Sequence, residues 1–75
     1  MDYKAKALYV VRFGKETATR IVTATGKYPT DAVARVKLTW KCAREAKRTY
    51  GSRNIVQEKE VKFYAGDGVL MEEIR

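Results

Sequence analysis

The sequence predicts a two-layer α+β domain of order β-β-α-β-β, an antiparallel sheet with one amphipathic helix packed on one face. Three observations predict it. Residues 5–25 hold two runs of β-formers separated by "GKE". "PTDAVARV" reads as a helix start, and Gly51 stands where that helix would stop. "AGDG" at 65–68, between two further β-rich runs, is the strongest turn signal in the chain.

The first strand is expected over residues 5–13, "AKALYVVRF". Ala7, Tyr9, Val11 and Phe13 share one face, and Leu8, Val10 and Arg12 the other. The second is expected over 17–25, "TATRIVTAT", dense in β-branched residues that suit a pleated sheet. Thr17, Thr19, Ile21, Thr23 and Thr25 lie on one side, with Ala18, Arg20, Val22 and Ala24 on the other. Pro29 makes Tyr28 extended. Thr30 can then cap the helix with its hydroxyl, and Asp31 complements the positive helix end.

The helix is expected over 31–49. On a wheel at ~100° per residue with Ala32 at zero, Ala32, Val36, Ala43 and Tyr50 fall between roughly 0° and 40°, with Trp40 and Val33 at about 80° and 100°. That stripe is expected to face the sheet, which makes Trp40 and Tyr50 core residues. Cys42, at about 280°, falls beside it. Lys47 is expected near the core face with its stem directed outward.

A second hairpin is expected from "NIVQEKEVKFYAGDGVLMEEI". "QEKE" at 57–60 could continue a long strand or bend. One helix cannot cover both faces of a four-stranded sheet. The other face is left to water, a partner or a second copy of the chain, and an open face or free edge suits a homodimer.

Seventy-five residues make a single domain, 1–75, with a modest core. No apolar run approaches the ~20 residues that cross a bilayer, so no membrane partner is expected. The N-terminal apolar stretch is too short for a signal peptide. Cys42 is the only cysteine, which suits a reducing compartment and a cytoplasmic location. No histidine is present, which removes the commonest general base and metal ligand. No catalytic residue, cofactor or metal is expected, and the chain is not expected to be an enzyme.

The net charge of +7 is distributed unevenly. Residues 31–50 carry six basic side chains against Asp31 and Glu45, whereas residues 51–75 are slightly acidic. This asymmetry predicts an acidic partner: nucleic acid, a nucleoprotein, or the acidic surface of a host protein. Lys37, Lys41, Arg44 and Arg48 fall between about 120° and 180° on the wheel, a row along one helix edge free of interleaved acid. Such a row can contact successive phosphates. Lys27 and Arg53 extend it at the helix ends, and these six are the candidate binding residues. A solvated helix edge is the rival explanation. A tyrosine on the uncovered sheet face, Tyr9 or Tyr64 near Lys62, Arg12 or Arg20, would make an aromatic and basic platform.

In size and element order the chain resembles small phage-encoded anti-CRISPR proteins, with its strand pair, the helix beginning "PTDAVARVK" and the closing hairpin "NIVQEKEVKFYAGDGVLMEEI". The resemblance covers most of the chain as architecture and transfers no functional residue. It implies a non-enzymatic inhibitor that docks on a host protein such as a Cas effector and blocks its nucleic-acid binding.

Overall fold

The computed structural model describes residues 2–66 and 68–74, and excludes the side chains of 69–71, 73 and 74. Two long strands, β1 (Asp2–Phe13) and β2 (Glu16–Lys27), form an antiparallel hairpin turned at Gly14, whose φ of 64° favours glycine. Helix α1 (Asp31–Tyr50) follows, then a 3-10 turn (Ser52–Asn54) and β3 (Ile55–Ala65), which pairs antiparallel with β1. The expected α+β class holds: a β2-β1-β3 antiparallel sheet with one helix lying across it. Val69–Ile74 (β4) pairs with β3 at the far edge. Asp67 of the expected "AGDG" turn lies outside the described residues.

The helix begins and ends where its caps dictate. Thr30 Oγ1 accepts from the Val33 N–H at 3.2 Å. Gly51, at φ 87°, donates its N–H to the Lys47 carbonyl at 2.9 Å. A longer tether fixes the N-terminus: the Tyr3 hydroxyl donates to Asp31 Oδ1 at 2.7 Å.

β1 is the spine of the core. Tyr3, Ala5, Ala7, Tyr9 and Val11 all point toward α1 and are buried, joined by Val22 from β2 and by Val61 and Phe63 from β3. Ala5 lies opposite Phe63 and Ala7 opposite Val61, so small residues on the spine leave room for large ones beside it. "QEKE" is strand, but irregular. Register shifts fall between Leu8 and Tyr9 and between Val10 and Val11, so β1 partners skip Lys59 and Val56 on β3. This brings Glu58 to the helix side, where the Tyr9 hydroxyl donates to its Oε2 at 2.9 Å.

The orientation of the helix differs from the wheel's expectation. Its buried residues are Ala34, Leu38, Cys42 and Ala46, spaced by four. Val36 is 70% exposed, Trp40 60% and Val33 37%. The expected inner stripe therefore faces outward. The inner stripe is narrow because Ala5 and Ala7 admit the helix backbone closely, and a close approach selects Ala, Cys and one Leu over Val and Trp. Tyr50 is only half-buried, packed edge-on against Phe13 at 6.0 Å between ring centroids.

Cys42 is fully buried, its thiol directed at the Val22 and Ala5 carbonyls at 3.7 and 3.9 Å. Burial, reinforced by the Glu58 charge, pushes the thiol up from its ordinary 9.0 to about 11. A raised folded-state value stabilises the native state up to the unfolded value. That contribution is then lost as pH climbs through the folded one. Stability should accordingly hold to about pH 9 and fall between pH 9 and about 11. Iodoacetamide at pH 8 should label Cys42 only in unfolded protein. Rapid labelling of native protein, followed by mass spectrometry, would contradict this burial.

Candidate functional site

The basic row does lie along one edge of α1, but its members do different work. Lys41 bends toward the sheet: its ammonium donates to the Thr25 carbonyl at 3.2 Å and lies 5.9 Å from the Tyr28 ring centroid. The Tyr28 ring in turn covers Gly26 so closely that a Cβ there would sit 2.6 Å from it, which explains the glycine. Arg48 is held by Glu45, whose two oxygens both lie 2.7 Å from one guanidinium nitrogen. That hydrogen bond holds the Glu45 carboxyl below its ordinary range. The expectation of an acid-free row is corrected here. An i, i+3 step places Glu45 against Arg48, and the pair largely neutralises that end of the row.

Arg44 is the central residue. Its guanidinium sits 5.3 Å from the centroid of the Trp40 ring. It lines a 390 Å³ groove between helix and β2, shared with Lys41, Arg48, Thr23 and Thr25. It also lines a smaller 190 Å³ cavity with Trp40, Ala43 and Lys47 on the outward face. Lys47 therefore belongs to the outer surface, not to the core side expected of it. Lys37 is exposed one helical turn before Lys41 on the same edge. Lys27 lies 3.9 Å from the Asp2 carboxylate at the helix's N-terminal end, and Arg53 lies in the 3-10 turn beyond its C-terminal end. The structure thus gathers Lys41, Arg44 and Arg48 around one groove and leaves Lys27 and Arg53 apart.

Sequence reasoning missed Trp40, Val36, Val33 and Lys47 as surface residues. The signal that could have found them is the i, i+4 run Ala34, Leu38, Cys42, Ala46, which is continuous over three turns.

The uncovered sheet face carries a second basic group. Lys4 and Lys6 on β1 hold their ammonium groups 5.0 and 5.7 Å from the Tyr64 ring centroid. Lys6 is the cross-strand partner of Lys62. Of the two tyrosines considered for this face, Tyr64 lies on it and Tyr9 is core. Arg20 faces the helix side, over the Phe13 ring at 5.0 Å.

Among the described residues, no group of three His, Cys, Asp or Glu could hold a metal, and no helix is long and apolar enough to cross a membrane. No protein-family model matches the chain, and no curated protein or solved structure matches it.

Proposed function

We propose that this chain is a small, non-enzymatic, cytoplasmic binding module that contacts nucleic acid or a nucleoprotein through the basic side of its helix. Arg44 carries the reading. It makes a cation–π contact with an exposed indole and borders both the groove toward β2 and the outward cavity. A guanidinium so placed can donate to phosphate while keeping its contact with the ring. Lys41 and Lys37 precede it by about one and two helical turns along the same edge, a spacing that suits successive phosphates and gives affinity without sequence preference.

Anisotropy titrations with labelled duplex and single-stranded oligonucleotides test this. Affinity should fall steeply between about 50 and 200 mM salt. The double variant Lys37→Glu, Arg44→Glu should bind tenfold or more weakly, with a shallower salt slope. Absence of salt-sensitive binding to any oligonucleotide at low ionic strength would overturn the nucleic-acid reading.

A second reading is a phage-type, anti-CRISPR-like inhibitor that docks on a host protein such as a Cas effector and blocks its nucleic-acid binding. Val36 and Val33 favour it, since exposed aliphatic groups beside Trp40 have no use against phosphate and would fit a protein pocket. Binding to a purified effector that survives nuclease treatment and is lost in Trp40→Ala would support it. Unchanged binding in that variant would exclude this face.

A further inference from the structure

We propose that the uncovered sheet face binds single-stranded nucleic acid, with a base against Tyr64 and the flanking phosphates on Lys4, Lys6 and Lys62. This is a second surface, distinct from the helix row and independent of it.

The first observation is a placement that works against the fold. Lys6 on β1 and Lys62 on β3 are direct cross-strand partners, and like charges opposite one another destabilise a sheet. Lys4 stands two residues along the same strand and on the same face, about 7 Å away. Glu60 reaches Lys62 at 3.5 Å. The ammonium groups of Lys4 and Lys6 lie instead over the Tyr64 ring. Lys62 is balanced by Glu60 and by Glu72, its cross-strand partner on β4, whereas Lys4 and Lys6 converge on one aromatic ring, and that pair favours an anionic occupant.

The second observation is the shape around the ring. Tyr64 borders two adjoining cavities. One, of 580 Å³, lies at the sheet end with Lys4, Thr25, Lys27 and Gly66 among its walls. The other, of 270 Å³, is bounded by Lys6, Leu8, Ile21 and Lys62. The two share the Tyr64 ring as a wall, and each also has one acid in its lining, Asp2 in the first and Glu60 in the second. Ile21 is 64% exposed there. A single strand supplies what these cavities lack: flat unpaired bases for Tyr64, Ile21 and Leu8, and phosphates for the lysines. A duplex keeps its bases stacked on one another and cannot use the ring. An acidic peptide would use the lysines but not the ring. On binding, the lysine heads move from the ring face to phosphates and leave the ring open for stacking.

The test uses the intact chain and fluorescein-labelled oligo-dT and oligo-U of about 12 nucleotides, a matching duplex, and poly-glutamate as competitor. Single strands should bind several-fold tighter than duplex, and poly-glutamate should compete weakly. Lys6→Glu should weaken single-strand binding tenfold or more. The same variant should leave the melting temperature near that of the parent, because Lys62 already has Glu60 at 3.5 Å and Glu72 opposite it, so lost binding would not be lost folding. Tyr64→Ala should weaken binding roughly tenfold, whereas Tyr64→Phe should retain it. The inference is overturned if duplex or poly-glutamate binds as tightly as the single strand. It is equally overturned if Lys6→Glu and Tyr64→Ala bind like the parent. Loss in Lys37→Glu, Arg44→Glu with none in Lys6→Glu would remove this surface and leave the helix reading intact. The reverse pattern would do the opposite.

Discussion

Replacing Leu38 with alanine should lower stability by about 2–5 kcal/mol, the usual cost of truncating a buried leucine. Leu38 is fully buried and is the only large aliphatic side chain that α1 places among its buried residues. Its neighbours in the stripe are Ala34, Cys42 and Ala46, too small to refill the space. A 75-residue domain has little stability to spare, so the variant should be partly unfolded near physiological temperature. Val36→Ala is the matched control. At 70% exposure it should change stability by no more than about 0.5 kcal/mol. Urea denaturation followed by circular dichroism reads both. A larger loss in Val36→Ala than in Leu38→Ala would mean that the helix faces the sheet the other way round.

Replacing Trp40 with alanine should do the reverse. Stability should stay within about 0.5 kcal/mol of the parent, since the indole is 60% exposed and packs on Arg44 at the surface. Affinity for the helix-face partner should fall by about 2 kcal/mol, roughly 30-fold, because exposed tryptophan beside arginine is the composition of a binding hot spot. Part of that loss reflects Arg44, which no longer has a ring to rest on. Arg44→Lys should therefore also weaken binding, since an ammonium cannot stack and donate together as a guanidinium does. If Trp40→Ala unfolds the protein, the ring is core and the proposed surface does not exist.

The two variants mark where the sequence was legible. Strand and helix positions were readable because local chemistry fixes them. Thr30 and Gly51 bound the helix through hydrogen bonds that their residue types announce. The alternation in "AKALYVVRF" placed Ala7, Tyr9 and Val11 on one face, which is the buried one. The helix face was misread because a wheel weighs apolar bulk. Val33, Val36 and Trp40 outweigh Ala34, Leu38, Cys42 and Ala46, yet the sheet selects for fit against Ala5 and Ala7. Bulk on the wrong face is itself informative, since a helix gains nothing in folding from an exposed tryptophan and two exposed valines.

The candidate site was legible only in part. Charge spacing picked out the row, but pairing within it depends on side-chain reach. Lys41 and Arg48 find Thr25 and Glu45 in the folded chain, while Arg44 finds Trp40. On the sheet face the sequence offered Tyr64 near Lys62 as one possibility, but the addition of Lys4 and Lys6 to that group was out of reach for a different reason. It depends on the β1–β3 register, which pairs residues 56 positions apart for Lys6 and Lys62 and is interrupted by two irregularities further along. Nothing local in the sequence specifies that register.

The most direct test of the central claim, that α1 turns its tryptophan outward as a binding surface, is fluorescence quenching. Trp40 is the only tryptophan in the chain, so the signal has one source. Native protein should emit at a solvent-like wavelength, and acrylamide should quench it nearly as efficiently as it quenches the urea-unfolded chain. Saturation with the helix-face partner should protect the indole and shift its emission to the blue. A native emission already blue-shifted and shielded from acrylamide would place Trp40 in the core and contradict the account.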